Sequence, residues 1–172
     1  MFSSYAHDDS TGIIKKALIN LSPDDKVRLL SDSAYKYSDS NFPKSIHFGE
    51  FALSYLNDNT PDSLKTKLYM LLFRVNHMLG NYAKALEYVY AELKIHEKDY
   101  NGNEMSIASC YVNIGETYRA ATDYDNAIKY ITFAIDIYMG INNDDSNKGL
   151  VSAFERMSAV SFELAVKKDS NE

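Results

Sequence analysis

Residues 111–135 read YVNIGETYRAATDYDNAIKYITFAI and contain two amphipathic patterns joined by a short polar turn. In the first, Tyr111, Ile114 and Tyr118 recur at spacings of three, four and seven residues, which places them on one face of an α-helix. Between the patterns stands Asp123, whose carboxylate can cap the second helix. The second pattern has its own apolar stripe, formed by Tyr124, Ala127, Ile128, Ile131, Ala134 and Ile135. The stretch therefore predicts a helix hairpin, with small residues at Gly115 and Ala127 where the two helices approach.

The second half of this hairpin recurs along the chain. Residues 81–86, NYAKAL, match residues 123–128, DYDNAI, and residues 41–46, NFPKSI, match them more faintly. Each copy has a capping Asn or Asp, then an aromatic residue, then a small residue three positions later. These small residues, Ser45, Ala85 and Ala127, are 40 and 42 residues apart. A repeat of this length predicts a helical solenoid.

The spacing of Tyr111, Ile114-Gly115, Tyr118, Tyr124, Ala127, Ile131 and Ala134 resembles the tetratricopeptide repeat (TPR). That family has repeats of about 34 residues. The longer period here is similar to the expanded repeats of bacterial signalling and regulatory proteins. The resemblance covers roughly residues 24–140. It is weakest in the first repeat, where Asp32-Ser33 and Gly49 replace the expected aliphatic-small pair and a bulkier residue.

The predicted fold is all-α, an α-α superhelix, which is a TPR-like solenoid of antiparallel helix pairs with about seven to eight helices. Ser22-Pro23 and Thr60-Pro61 are helix-start signals, and residues 100–103 and 140–145 are predicted connections. The expected parts are a flexible N-terminus at 1–10, an N-terminal capping helix at 11–21, TPR-like repeats at 22–58, 59–101 and 102–145, and the helix of a partial fourth repeat or a C-terminal cap at 146–172. Because this last helix is apolar nearly all round, we expect the chain to be a piece of a longer protein that continues after Glu172.

The composition of the chain disfavours some classes of binding partner. Apolar residues make up 45% of the chain, the net charge is −6, and the basic residues are scattered. This disfavours nucleic acid as a partner, since a nucleic-acid site needs clustered basic residues. No stretch approaches the roughly 18 apolar residues of a membrane span, so direct membrane insertion is not expected. We expect a cytoplasmic protein, or a periplasmic or extracytoplasmic one if a signal peptide has been removed.

No catalytic motif is present, and we expect neither an enzyme nor a cofactor. The four histidines form no His-x-x-x-His pair and have no Cys at metal-ligand spacing, so no metal site is predicted. The single cysteine, Cys110, falls within a predicted helix. A buried structural thiol is the favoured interpretation, and a reactive thiol is the alternative.

The family resemblance implies a ligand site on the concave face, where the first helix of each repeat presents its non-core positions. Asn113 stands where many peptide-binding members place an Asn, but Leu71 occupies the equivalent position of repeat two, so an asparagine ladder is absent. The Lys and Asn pattern that holds a C-terminal carboxylate in chaperone-binding members is also incomplete. The implied ligand-binding residues are Lys67, Met70, Leu71, Arg74, His77, Ser109, Val112, Asn113, Glu116 and Arg119.

Two functions remain open from the sequence. The first is a non-catalytic interaction module that binds a peptide or protein segment in the concave face, as the sensor or regulatory part of a bacterial signal-transduction protein. The alternative is a dimerisation or scaffold element, a homodimer that associates through the hydrophobic C-terminal helix, because exposed apolar patches commonly mark association surfaces.

Overall fold

The computed structural model describes residues 14, 16–141 and 143–169, without the side chains of residues 99–101. This part of the chain contains no strand. Its seven α-helices are α1 (Pro23–Tyr37), α2 (Phe42–Leu53), α3 (Asp62–Met78), α4 (Tyr82–His96), α5 (Tyr100–Ala120), α6 (Tyr124–Ile141) and α7 (Asp144–Asp169), with a 3₁₀ turn at Glu97–Asp99. The predicted all-α fold and its number of helices are therefore confirmed.

The helices stack in chain order. Each one packs mainly on the helix before it and the helix after it, and α1 also touches α3, as α5 touches α7. This pattern of neighbour contacts is that of a solenoid of helix pairs. Before α1, residues 14, 16 and 17 are helical, and Leu18 is buried in the first core. The rest of the predicted capping helix, residues 11–13 and 15, and the predicted flexible segment 1–10 lie outside the described residues.

Local caps explain where several helices begin. The Ser22 hydroxyl accepts a hydrogen bond from the backbone N–H of Asp25 at 3.2 Å, with Pro23 at the first helical position of α1. The Asp123 carboxylate accepts one from the backbone N–H of Asn126 at 3.2 Å. The tight turn before it uses a positive φ of 61° at Thr122. Both caps were predicted from the sequence, and both are confirmed. Asn81 was also predicted to cap a helix, but its side chain makes no capping hydrogen bond at the start of α4.

The junction between α4 and α5 differs from the prediction. Residues 100–103 were predicted to be a loop because Gly102 lies among polar residues, but α5 already begins at Tyr100. A glycine in a helix costs only about 1 kcal/mol relative to alanine, and the buried side chains of Ile107 and Cys110 favour a longer helix there. At the other connection, α6 continues through Gly140 to Ile141.

Two apolar cores meet at α5. The first core takes Ile107, Cys110 and Ile114 from this helix, together with the buried side chains of α1 to α4. The second core takes Ala108 and Val112 from it, together with those of α6 and α7. The helix is therefore buried on two sides and forms the wall between the cores.

Gly115 sets the distance between α5 and α6. A Cβ atom at this position would lie 2.6 Å from Ile131 Cγ1 and 3.1 Å from the carbonyl oxygen of Ala127. On another face of the pair, the rings of Tyr118 and Tyr130 stack at 5.5 Å, and the Tyr130 hydroxyl lies 2.8 Å from that of Tyr90. The predicted close approach at Gly115 and Ala127 is thus present in the structure.

Candidate functional site

An open groove of about 560 Å³ lies between α1 and α3. We call it the α1–α3 groove. Four of the predicted ligand-binding residues, all from α3, line this groove, and four residues of α1 face them. The lining consists of Arg28, Ser31, Asp32 and Tyr35 from α1 and of Leu64, Lys67, Met70, Leu71 and Arg74 from α3.

Helical periodicity explains why these side chains face the groove. On α1, Val27, Leu30 and Ala34 are fully buried in the core, so that the residues one position later in the chain lie beside them on the groove wall. On α3, Leu68 and Leu72 are buried in the same way. The inner faces of the two helices can therefore remain open while the helices stay anchored in the core.

The groove combines apolar surface with positive charge. Met70 is 51% exposed and Tyr35 is 67% exposed, which gives a ligand apolar surface to cover. The wall carries three basic side chains and one carboxylate, that of Asp32, in a chain whose net charge is −6. Neither Arg28 nor Lys67 pairs with a carboxylate among the described residues. The groove therefore suits a ligand that is apolar and acidic.

Arg74 is held in place at one end of the groove. Its Nη2 donates a hydrogen bond to Ser38 Oγ at 2.5 Å, and its Nη1 lies 3.4 Å from Asp39 Oδ1. The guanidinium carbon lies 5.7 Å from the centre of the Tyr35 ring. These contacts orient the guanidinium while part of the side chain remains open to solvent, which is the arrangement that a fixed polar anchor needs.

The predicted residues of repeat three lie apart from this groove. Val112 is buried in the second core, and Ser109 is exposed beside the hydroxyl of Tyr138 on α6. Asn113 is half-buried, and its backbone carbonyl accepts a hydrogen bond from Thr117 Oγ1 at 2.7 Å. None of the three lines the α1–α3 groove.

The remaining two, Glu116 and Arg119, bind each other. Arg119 donates two hydrogen bonds to the Glu116 carboxylate, at 3.0 and 2.5 Å, and a third to Glu163 of α7. Burial by itself would raise the pKa of Glu116, but the hydrogen bond and charge of Arg119 hold it below its ordinary value. The bond to Glu116 raises the pKa of Arg119 further. This cluster therefore links α5 to α7.

His77 belongs with this cluster and does not line the groove. Its ring contacts those of Phe73 and Tyr82, with centroids 5.7 and 5.8 Å away. Its Nε2 is buried without a hydrogen-bond partner among the described residues. Burial lowers the pKa of His77, and the nearby charges of Arg119 and Arg156 lower it further, while Glu116 acts in the opposite direction.

The four α1 residues of the groove were not predicted, because the ligand positions implied by the resemblance were carried over only to repeats two and three. The buried face of α1 is the one that the spacing of Val27, Leu30 and Ala34 predicts, and all three side chains are fully buried. Asp32, which replaces an aliphatic residue of the repeat pattern, is exposed on the groove.

The last helix presents a different surface. Only Ser146, Ala153 and Val160 of α7 are buried, whereas Phe162 is 70% exposed. The other large apolar side chains that this helix exposes are Val151, Phe154 and Val166. Near its end, Phe162 and Val166 line a shallow groove with Tyr124 of α6. None of the described helices is both long enough and apolar enough to cross a bilayer.

Comparison with known proteins agrees with this architecture. Residues 67–139 match the tetratricopeptide repeat family. No curated protein matches the chain in sequence. Among solved structures, that of BtubC (BKLC) from P. vanneervenii is similar with a TM-score of 0.64 and 18% identity over 90% of this chain and 63% of that one. The apo form of RapI is similar with a TM-score of 0.66 and 18% identity over 94% of this chain and 64% of that one.

A third similar structure is the Hsp90 co-chaperone Cns1 from Saccharomyces cerevisiae, with a TM-score of 0.62 and 14% identity over 88% of this chain and 46% of that one. At these identities the likeness concerns the fold, and the chain spans less than two thirds of the length of each of the three. Tetratricopeptide repeats are typically non-catalytic interaction scaffolds. The seven stacked helices and the match over residues 67–139 together show a helical fold like that of tetratricopeptide-repeat proteins.

Proposed function

We propose that the chain is a protein-interaction module and that its α1–α3 groove binds an extended peptide segment with acidic and apolar side chains. The observation that carries the proposal is the composition of this groove, in which Arg28, Lys67 and Arg74 surround the exposed side chains of Tyr35 and Met70. Helical arrays hold peptides in grooves that combine apolar surface with a few fixed polar groups. One of the similar structures is that of a co-chaperone, which supports a protein as the class of partner.

The proposal can be tested with two fluorescent peptides of equal length, one rich in Asp and Leu and one rich in Lys and Leu. We expect the acidic peptide to bind more tightly, because the groove carries more positive than negative charge. Lys67→Glu should weaken its binding by about fivefold, which corresponds to roughly 1 kcal/mol for one exposed charge. Fluorescence polarisation at two salt concentrations measures both effects.

The matched control is Lys168→Glu, which makes the same change of charge at an exposed position near the end of α7. It should leave binding of the acidic peptide unchanged. If both charge reversals weaken binding equally, the attraction depends on net charge alone and the groove is not the site. Equal affinity for the acidic and basic peptides would contradict the proposed ligand chemistry.

A narrower proposal is that the module is the sensor or regulatory part of a bacterial signal-transduction protein and acts in the cytoplasm. Its support is the repeat period of 40 and 42 residues, which resembles that of expanded regulatory repeats. The proposal can be tested by affinity purification of the proteins that bind the wild-type chain and of those that bind the Lys67→Glu variant. The expected result is a signalling protein that is recovered only with the intact groove.

The second candidate function is self-association through α7. The observation that favours it is the row of exposed apolar side chains at Val151, Phe154, Phe162 and Val166. Analytical ultracentrifugation over a hundredfold range of concentration would show a dimer that Phe162→Ser converts to a monomer. A monomer at every concentration excludes this function and leaves the groove as the binding surface.

A further inference from the structure

Three side chains that can bind a metal meet where α4 packs on α5. Glu92 and His96 are one turn apart on α4, and Cys110 faces them from α5. One potential ligand atom from each lies within 4.8 Å of the other two. No metal site was predicted from the spacing of histidines and cysteines, because the members of this group come from two helices and one of them is a carboxylate.

One oxygen of the Glu92 carboxylate is buried without a hydrogen-bond partner among the described residues. Glu92 is 8% exposed, and its Oε2 has no hydrogen bond among the described residues, while its Oε1 lies 3.8 Å from His96 Nε2. Burial raises the pKa of Glu92 to about 7. Burial also raises the pKa of Cys110, as do the negative charges of Glu92 and Glu97. Neither pKa shift is countered by a hydrogen bond or a charge that stabilises the ionised form.

The other junctions between repeats have different residues at these positions. The repeat spacing of 40 and 42 residues aligns Glu92 with Ala52 and Ala134, which are both fully buried. At the preceding junction, Leu56 stands 40 residues before His96, and Leu68 stands 42 residues before Cys110. A small or apolar residue is therefore sufficient for packing at this place, and three polar ligand groups together need another explanation.

We propose that Glu92, His96 and Cys110 bind a zinc ion through a carboxylate oxygen, Nε2 and Sγ. Zinc binds carboxylate oxygen, imidazole nitrogen and thiolate sulfur at about 2.0–2.3 Å, so two donors on one tetrahedral ion lie roughly 3–4 Å apart. The 3.8 Å between Glu92 Oε1 and His96 Nε2 already fits this spacing. On binding, the Cys110 thiol loses its proton to solvent and the thiolate bonds to the ion.

The proposed site leaves one coordination position open. Three protein ligands occupy three corners of a tetrahedron, and a water molecule or a group from a partner completes it. The His96 side chain is 15% exposed, so this edge of the site faces solvent and gives the ion a way in. Since α4 and α5 belong to successive repeats, the ion would hold together the junction between them.

The test uses cobalt(II) as a spectroscopic probe and zinc as the competing ion. Cobalt added to the metal-free protein should give one-to-one binding, with a thiolate-to-cobalt charge-transfer band and the visible bands of tetrahedral coordination, and zinc should abolish both. Zinc should also raise the melting temperature. Cys110→Ser should remove the charge-transfer band. Glu92→Gln should weaken zinc binding by at least about 100-fold, because mutation of residues that only support a metal ligand already weakens binding by up to about that factor.

The matched control is His47→Ala, which removes an exposed histidine on α2 and should leave the spectrum unchanged. Glu92→Ala serves as a second variant that should fold, since alanine occupies the equivalent positions at Ala52 and Ala134. Absence of the cobalt bands in the wild-type protein would overturn the proposal. So would bands that persist in Cys110→Ser, or a zinc-dependent rise in melting temperature that persists in both Glu92 variants.

Discussion

Helices α3 and α5 hold the same place in successive repeats, yet their inner faces are in different environments. On α3, Lys67 and Met70 are exposed and line the α1–α3 groove. On α5, the equivalent positions are Ser109, which is exposed beside Tyr138, and Val112, which is buried. Further along α5, Arg119 already binds Glu116 and Glu163.

The difference shows that a repeat position does not by itself determine whether a side chain is available to a ligand. On α5, the guanidinium of Arg119 reaches a carboxylate of α7, 44 residues later in the chain. On α3, Arg74 instead bonds to Ser38 and Asp39 at the end of α1, which leaves the groove open. The two arginines therefore differ in what they join: Arg119 links α5 to α7, whereas Arg74 lies at one end of an open groove.

The largest effect on stability is expected from Gly115→Leu, which prevents the close approach of α5 to α6. A Cβ atom there already approaches Ile131 Cγ1 to 2.6 Å, and its backbone neighbours cannot move away without shifting the helix. We expect a loss of roughly 1–3 kcal/mol in the free energy of unfolding, measured by urea denaturation. Displacement of α5 should also disturb the cluster around Arg119, and this would make the two inner faces more alike.

Gly140→Ala is the matched control within α6. A Cβ atom at Gly140 meets no atom within 4 Å, so this variant should be as stable as the wild type, or more stable by up to about 1 kcal/mol. An unchanged denaturation midpoint for Gly115→Leu would show that the repeat register is wrong.

The next effect is that of Arg119→Ala, which tests the cluster directly. The variant leaves Glu116 half-buried without its partner, and we expect a loss of about 1–3 kcal/mol in the free energy of unfolding. Lys148→Ala breaks an exposed pair of the same sequence spacing, Lys148 with Asp145, and should cost less than about 1 kcal/mol. Equal losses in the two variants would mean that the cluster does not stabilise the α5–α7 contact.

A smaller change in stability is expected from Arg74→Ala, whose side chain is 41% exposed. The free energy of unfolding should fall by less than about 1 kcal/mol, while binding of the acidic peptide should weaken. Asn113→Ala should have no effect on peptide binding, because Asn113 does not line the groove. If Asn113→Ala weakens binding as much as Arg74→Ala does, the inner face of α5 is also part of the site.

The smallest expected effect on stability comes from His77 and should appear only when the pH is lowered. Because burial lowers the pKa of His77 below its ordinary value of 6.5, the unfolded chain takes up a proton at a higher pH than the folded protein does. The contribution of His77 to stability is therefore complete above about pH 6.5 and is lost as the pH falls towards the lowered pKa. Compared with His77→Gln, the wild type should lose more stability between about pH 7.5 and pH 5.5, as measured by thermal unfolding. Parallel pH curves would contradict this assignment.

Much of the fold could be predicted from the sequence because its signals are local. The stripe of Tyr111, Ile114 and Tyr118 lies within two turns of one helix, and Asp123 caps the helix that follows it directly. The close helix approach at Gly115 could be predicted because Gly115 lies within the same hairpin. The loop predicted around Gly102 is wrong because core packing, which involves distant residues, favours helix there.

The site was less predictable because its contacts join distant parts of the chain. The inner face of α1 was missed because the resemblance, which is weakest in the first repeat, supplied ligand positions only for repeats two and three. The bond from Arg119 to Glu163 and the approach of Glu92 to Cys110 depend on how helices stack, which no local spacing specifies. The family resemblance implied which positions form the inner face, but only the stacking distinguishes its open part from its closed part.

The shared wall formed by α5 has a consequence for how the protein unfolds. In a linear array whose repeats touch only their neighbours, end repeats can open one at a time while the rest stays folded. Here one helix supplies Ile114 to one core and Val112 to the other, so loss of α5 from either core exposes apolar surface in both. We therefore expect the amide hydrogens of α5 to exchange with solvent last and in a single step, which would make the two halves of the molecule one cooperative unit.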